Sequence, residues 1–189
     1  MRINSKFEAW NELLAILEEN KINYSLSKYS LSFLKQTNIA FENNFQICLW
    51  WKDYLFLKKK FPALFIDNSI DKYQNSIPIF KFNNAKIIIQ IIVGTSEEKI
   101  SKLKLAKLFS NDLKVLENKK ILKWKFNSFI KKHNINEIVA NFNQEEYNFF
   151  ISIGETINHC YLSKNLLWGD VSEIEYNGMR FKVFNDYLK

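Results

Sequence analysis

Apolar residues recur with helical spacing in some segments and alternate with polar residues in others, and these two periods predict helices and strands. From Phe7 to Glu19 the apolar positions follow the i, i+3, i+4, i+7 pattern, which predicts a helix with one buried stripe. The same reasoning, together with β-favouring composition, predicts the next elements. In chain order these are a strand at Asn23 to Ser27, a helical turn reaching Leu34, a strand at Phe45 to Trp51, a helix at Lys52 to Phe61 and an extended piece at Ala63 to Asp67.

Two pairs of apolar runs have the pattern of β-hairpins. Ile77 to Phe82 and Ala85 to Val93 read as strands joined at Asn83-Asn84, a dipeptide that tolerates positive φ in a tight turn. Near the C-terminus, Glu173 to Phe184 alternates on both sides of Asn177-Gly178. An Asn-Gly pair between two alternating runs is the strongest short hairpin signal that a sequence offers, so we expect a C-terminal β-hairpin.

Between the two hairpins the pattern is helical. Thr95 with Glu98 three residues later forms a capping box, which predicts a helix that runs to about Phe109. The stretches Asp112 to Lys132 and Gln144 to His159 are predicted as two further helices. We therefore expect a single domain over residues 1–189, of α/β (α+β) class, with a mixed sheet flanked by helices and a helical second half.

The chain is basic, with a formal net charge of +7 from 27 Lys and Arg against 20 Asp and Glu. Such a balance raises the question of nucleic acid or an anionic glycan as a partner. The densest clusters, Lys58 to Lys60 and Lys119 to Lys132, fall in helix-like stretches where a solvated face is the ordinary explanation. No RNP-like, KH or zinc-finger pattern accompanies the charge, which disfavours nucleic acid as the partner.

Cysteine content and hydropathy bear on the compartment. The two cysteines, Cys48 and Cys160, are too few for a disulfide framework, which favours a reducing environment. Residues Met1 to Lys6 lack the apolar core of a signal peptide. The longest apolar run, Ile87 to Val93, is interrupted by Gln90 and is far too short to span a bilayer. The sequence therefore predicts a cytoplasmic protein without a transmembrane segment.

Several segments, taken in order, are similar to those of one family. Ile22 to Ser27 stands where its members have a strand before a Gly-Gly-Thr-Leu-Leu-Gly loop, and Ile47 and Leu49 fall on the apolar positions of an Asp-Asp-Asp-Ile-Asp-Ile strand. Lys86 to Ile92 looks like Lys-Ile-Phe-Ile-Asp-Ile-Phe, and Glu175 to Leu188 is similar to a C-terminal hairpin and helix start. In these segments the chain resembles the LicD family of phosphocholine and related phospho-ligand transferases. The resemblance implies a nucleotidyltransferase-like fold.

The family's chemistry, as the resemblance implies, needs three carboxylates that hold a divalent cation against phosphates. Two of them alternate on one strand, and the third lies on a neighbouring buried strand. In this chain the first two positions fall on Gln46 and Cys48, and the third falls on Gln90. Because Mg²⁺ requires hard, usually charged oxygen ligands, we expect no catalytic residues, no metal and no cofactor at these positions.

The phosphate loop of the family also has different residues here. Lys28 and Tyr29 stand for its two glycines, Ser30 for its threonine and Phe33 for its final glycine. Large side chains at these positions would block a close backbone cradle for a phosphate. Lys28 and Ser30 remain candidate ligand-binding residues, because a lysine and a hydroxyl can meet a phosphate directly; a solvated surface lysine is the alternative for Lys28.

Three further residues are candidates for a site. Asp67 and Asp71 stand four residues apart in a polar connection, where they would supply new metal ligands, with Mg²⁺ as cofactor, if that connection folds over the cleft. Solvated loop acids are the alternative. Trp51 is a candidate stacking platform for a base or a sugar, and core packing is its alternative.

The resemblance, together with the absence of its acids at positions 46, 48 and 90, implies a catalytically degenerate LicD-like protein, a pseudoenzyme that acts as a binding or scaffold subunit linked to modification of cell-surface glycans or phospho-ligands. Its partner would be a protein or a glycan or phospho-ligand. An active phosphotransferase with rearranged acids is the first alternative. A basic module that binds nucleic acid or an anionic glycan is the second.

Overall fold

The centre of the fold is one long strand that is paired along both of its edges. The computed structural model describes residues 5–27, 29–31, 46–69, 77–96, 98, 135–142, 149–153, 161–162, 171–176 and 178–188. Its helices are α1 (Ser5–Glu19), α2 (Trp51–Lys60), α3 (Ile135–Phe142) and α4 (Asn185–Leu188). Its strands are β1 (Ser25–Leu26), β2 (Gln46–Trp50), β3 (Phe65–Ile66), β4 (Ile79–Phe82), β5 (Ala85–Thr95), β6 (Phe149–Ile153), β7 (Tyr161–Leu162), β8 (Val171–Tyr176) and β9 (Met179–Phe184).

Seven of these strands form one mixed sheet around β5. The main order is β1-β2-β5-β4-β3, with β6 paired to β5 and β7 paired to β6. Strand β2 runs parallel to β5, whereas β4 and β6 run antiparallel to it. Ile88 pairs with both β2 and β4, and Ile91 pairs with both β2 and β6. Strands β4 and β6 therefore share one edge of β5, and β2 occupies the other.

The burial of β5 explains its apolar sequence. In the register with β2, Ile47 faces Ile89 and Leu49 faces Ile91, and all four residues are completely buried. A strand covered on both faces lacks the strict alternation of a half-exposed strand, which is why Ile87 to Val93 is almost continuously apolar. Each fully buried side chain of this size contributes roughly 1.5–3 kcal/mol to stability.

Both predicted hairpins are confirmed. Asn83, in the turn between β4 and β5, has φ of 52°, a value that asparagine tolerates better than other non-glycine residues. Gly178, in the turn between β8 and β9, has φ of 77°, which glycine adopts without steric cost. The predicted helices and strands of the first third, from α1 to β3, are also present to within a few residues.

Side-chain hydrogen bonds join the C-terminal hairpin to β1 and to the residue before it. The Tyr24 hydroxyl accepts a hydrogen bond from the Lys182 amide at 3.3 Å, and the Ser25 hydroxyl accepts one from the Phe184 amide at 3.0 Å. Phe181 packs edge-on against Trp10 of α1, with ring centroids 5.5 Å apart. The second, two-stranded sheet thus joins the same core as the first.

The predicted helix at Gln144 to His159 is wrong where the structure describes that segment, although the described part of the second half does contain helix α3. Strand β6 lies within the segment Gln144 to His159, which we expected to be a helix. Phe149–Ile153 is rich in β-favouring residues, and the edge of β5 from Ile91 to Thr95 offers it a ladder of backbone hydrogen bonds. This pairing also carries β5 on to Thr95, where we had expected a helix to begin. The predicted helix at Asp112 to Lys132 lies outside the described residues.

The packing of the helices completes the architecture. Helix α1 contacts β4 and β5, α2 contacts β2, β3 and β5, and α3 contacts β5. Among the described residues, no helix combines the length and the apolar character that crossing a bilayer requires. The structure is therefore of mixed α/β content, with a mixed sheet, flanking helices and a C-terminal hairpin, as predicted.

Candidate functional site

The structure brings Gln46, Cys48 and Gln90 together. Gln46 and Cys48 are two residues apart on β2, so their side chains leave the same face of the sheet. Gln90 lies on β5 directly opposite Cys48 in the parallel register. The exposed fractions of the three residues are 5%, 0% and 8%, so all three are buried. The parallel pairing of β2 with β5 is what places them side by side.

These three side chains form a network that we call the amide–thiol network. The Gln90 Nε2 group donates a hydrogen bond to Gln46 Oε1 at 2.5 Å. The Cys48 thiol donates to Gln90 Oε1 at 3.7 Å, a distance suited to sulfur. A buried amide without a partner would cost about 1–3 kcal/mol, and the mutual pairing removes this penalty. The network thus satisfies polar groups at the centre of the sheet without any formal charge.

Two serines hold the start of β2 beside this network. The Ser30 hydroxyl donates to the Gln46 carbonyl at 3.0 Å and accepts from the Gln46 amide at 2.7 Å. The Ser27 hydroxyl accepts from the Ser30 amide at 3.1 Å, which caps the helical turn at residues 29–31. Ser30 is completely buried and its hydroxyl bonds within the chain. Its geometry is that of a residue that positions Gln46, and its role as a ligand-binding residue stays a prediction.

The donor set of the amide–thiol network does not fit the divalent cation that the resemblance implies. Mg²⁺ binds hard oxygen ligands in octahedral geometry and in proteins takes one or more carboxylates. The network supplies two amide oxygens, both of which accept internal hydrogen bonds, and a soft sulfur. Neither an amide nor a neutral thiol offsets the positive charge of the ion, which would be buried here at a large desolvation cost.

A second buried polar group, which we call the carboxylate cluster, consists of Tyr54, Lys58, Asp67 and Ser69. Lys58 Nζ lies 2.7 Å from Asp67 Oδ1, and the Ser69 amide donates to the same oxygen at 2.8 Å. The Tyr54 hydroxyl donates to Asp67 Oδ2 at 2.6 Å. The side chain of Asp67 is 0% exposed and that of Lys58 is 18% exposed. Both oxygens of the carboxylate are therefore engaged by donors from α2 and from the turn after β3.

The protonation of this cluster follows from its geometry. Burial alone would raise the pKa of Asp67, but the hydrogen bonds from Lys58, Ser69 and Tyr54 together outweigh it and lower the pKa below its ordinary value. Burial, and then the bond to the Asp67 carboxylate, raise the pKa of the Tyr54 hydroxyl. At neutral pH the cluster thus holds an ionised Asp67 and a neutral Tyr54.

By the resemblance to LicD-like proteins, the three positions of the amide–thiol network correspond to the metal-binding acids of that family. No family model, curated protein or solved structure matches this chain. The resemblance thus rests on the segments quoted from the sequence, and the nucleotidyltransferase-like fold remains a proposal.

The other predicted site residues are placed as follows. Trp51 begins α2, is half-buried and stacks on Tyr54 with ring centroids 5.7 Å apart, so its packing partner lies within the chain. The expectation that Asp67 and Asp71 converge is not tested, because Asp71 lies outside the described residues. Lys28 lies outside them as well. Their predicted roles stay predictions.

Sequence reasoning missed the partners of Asp67. Tyr54 and Lys58 are one helical turn apart, and this i, i+4 spacing on α2 is the only sequence signal that pairs them. It shows a shared helix face but not what that face meets. The turn after β3 brings Asp67 to that face. The same turn carries Asn68, whose Oδ1 accepts from the Ile135 amide of α3 at 2.9 Å.

Proposed function

We propose that this protein is a catalytically silent relative of LicD-like nucleotidyltransferases, and that it works as a binding or scaffold subunit linked to modification of cell-surface glycans or phospho-ligands. The single observation that carries the proposal is the hydrogen bond from Gln90 to Gln46 across β2 and β5, with the Cys48 thiol bonded to the same amide. A neutral, internally bonded network occupies the positions that would hold metal-binding acids. This network has no charge with which to hold a hard cation.

The carboxylate cluster supports this proposal against an active transferase with rearranged acids. Such an enzyme would use Asp67 as a metal ligand. In the structure that carboxylate forms an ion pair with Lys58 and accepts hydrogen bonds from Tyr54 and Ser69. A metal would have to displace the Lys58 ammonium group and the buried Tyr54 hydroxyl, and both would lose Asp67 as their acceptor. The arrangement of Asp67 thus favours a structural role.

Thermal unfolding with Mg²⁺ and CTP, added separately and together, tests the proposal. We expect no stabilisation that requires both ligands. A nucleotide bound through Mg²⁺ at 100 times its Kd would add roughly 2.7 kcal/mol, equivalent to a rise in Tm of about 5–10 °C for a chain of this size. A rise of that size that needs both ligands would contradict the proposal.

A positive control comes from returning acids to the three positions. The variant Gln46→Asp/Cys48→Asp/Gln90→Asp, or Gln46→Asp/Cys48→Asp if the triple variant does not fold, should gain stability when Mg²⁺ is added. If the acidic variant folds and its Tm does not rise with Mg²⁺ or Mn²⁺, these positions do not correspond to a metal site. The assignment to LicD-like proteins would then fall.

A further inference from the structure

The outer face of α2 is exposed and combines three lysines with two large apolar residues. At about 100° per residue, Leu55, Lys59, Lys52, Phe56 and Lys60 fall in this order on one arc of about 140°. All five are exposed, and Leu55 and Phe56 retain 42% and 48% of their accessible surface. The only acid of α2, Asp53, lies at the margin of this arc and is half-buried. We call these five residues the lysine face.

The fold uses the opposite side of the same helix. Tyr54 and Leu57 are completely buried against the sheet, and Lys58 turns inward to its ion pair with Asp67. Of the three consecutive lysines, Lys58 is thus committed to the interior, while the next two remain on the lysine face. Folding of the described residues therefore accounts for the inner side of α2, but not for two large apolar side chains, Leu55 and Phe56, on its outer side.

On the lysine face, the cations and the apolar side chains lie close together. Lys60 Nζ stands 5.8 Å from the centroid of the Phe56 ring and 5.4 Å from that of Phe61. The same ammonium donates to Asn20 Oδ1, which brings the end of α1 beside the end of α2. Lys21, the next residue after Asn20, is exposed and adds a further cation near this end of the face. Positive charge from Lys60 therefore lies beside the Phe56 ring, and the exposed acids Glu18 and Glu19 lie at the end of α1.

This combination fits the surface of an anionic lipid bilayer. Lysines gain electrostatic attraction to anionic headgroups, and their long stems let the ammonium groups stay at headgroup level while apolar neighbours enter the acyl boundary. The lysine face is the convex outer side of a helix. A convex ridge suits a deformable interface, whereas a protein partner would need a matching groove.

We propose that the lysine face is a docking surface for an anionic membrane, on which Leu55 and Phe56 insert shallowly while Lys52, Lys59 and Lys60 contact acidic headgroups. The proposal is independent of the amide–thiol network. It assigns α2 two tasks, one on each side: the inner side closes the carboxylate cluster and the outer side holds the protein at a lipid surface.

Sedimentation with vesicles tests this docking surface. The full chain should bind vesicles of mixed phosphatidylcholine and phosphatidylserine, should not bind vesicles of phosphatidylcholine alone, and should be released by added salt. Lys52→Gln/Lys59→Gln should weaken binding roughly 25-fold, since each lysine near an anionic surface contributes about a fivefold effect. Phe56→Ser should weaken it about fivefold through lost apolar insertion.

Matched variants elsewhere on the chain provide the controls. Lys81→Gln/Lys86→Gln removes the same charge from exposed positions on β4 and β5, and Phe7→Ser removes an exposed phenylalanine from α1. Both should bind vesicles as the unsubstituted protein does. No binding to anionic vesicles, or an equal loss in the control variants, would overturn the proposal. Heparin binding as tight as vesicle binding, and unchanged by Phe56→Ser, would also overturn the proposal. The lysine face would then bind soluble polyanions.

Discussion

The amide–thiol network and the carboxylate cluster are both buried beside the same central sheet, but only the second carries charge. In the network, Gln46, Cys48 and Gln90 satisfy one another with neutral groups. In the cluster, the charge of Asp67 is balanced by Lys58, and Tyr54 and Ser69 supply further donors. Buried charge is tolerated only where a counter-ion and hydrogen-bond donors converge on it. The cluster meets this condition, and the network offers neither a counter-ion nor an acid to balance one.

The largest effect on stability is expected when a charge is placed in the neutral amide–thiol network. Cys48→Asp puts a carboxyl group at a position that is 0% exposed and has only amide neighbours in the network. We expect a loss of about 4 kcal/mol in the free energy of unfolding, measured by urea denaturation at neutral pH.

Cys48→Ser is the control for this variant, since its hydroxyl replaces the thiol donor at nearly the same volume. It should cost about 1 kcal/mol. If Cys48→Asp is no more destabilising than Cys48→Ser, the site accepts a charge, and the account of the network as a neutral element is wrong.

Removing the charge from the charged region should have the next largest effect. Asp67→Ala leaves Lys58, the Tyr54 hydroxyl and the Ser69 amide without their common acceptor. We expect a loss of about 3 kcal/mol in the free energy of unfolding, somewhat less than for a fully buried pair because Lys58 is 18% exposed.

Glu175→Ala on β8 is a matched control for Asp67→Ala, because Glu175 is an exposed acid. It should change stability by no more than about 0.5 kcal/mol. Equal effects of the two substitutions would show that Asp67 contributes no more than a surface acid.

The smallest expected effect is a difference in pH dependence between the two regions. Because the pKa of Asp67 is lowered in the folded state, its contribution to stability is present above the ordinary carboxyl pKa, near about 4, and is lost as the pH falls through the lower folded value. The stability gap between the unsubstituted protein and Asp67→Asn should therefore narrow below about pH 4.

Gln46→Leu gives the corresponding comparison for the network. An amide does not titrate, so the stability gap between this variant and the unsubstituted protein should stay constant over the same pH range. Urea midpoints measured as a function of pH separate the two cases. A gap for Asp67→Asn that also stays constant would mean that its carboxylate is not stabilised by its neighbours.

Much of the fold followed from local sequence patterns. Helical periodicity indicated α1 and α2, and the turn residues indicated both hairpins, because positive φ at Asn83 and Gly178 is a local requirement. Alternation on β2 placed Gln46 and Cys48 on one face. These features depend on residues close in sequence, whose geometry the backbone fixes directly.

Strand β6 could not be predicted in this way. The apolar spacing of residues 144–159 also suits a helix, and the strand at Phe149–Ile153 forms because the edge of β5 is available to pair with it. Where an apolar pattern suits both a helix and a strand, the strand forms if another strand is available to pair with it. Backbone hydrogen bonds in a sheet join segments that are distant in sequence, so local patterns do not show this.

The sequence alone determined that positions 46, 48 and 90 carry no acid, and that α2 presents lysines beside Leu55 and Phe56. Only the tertiary structure decided that Gln90 lies opposite Cys48, and that Asp67 meets Tyr54 and Lys58. The reason is physical. Residue type and local period are properties of the chain, whereas the pairing of β2 with β5 and the burial of Asp67 arise when distant segments share one core.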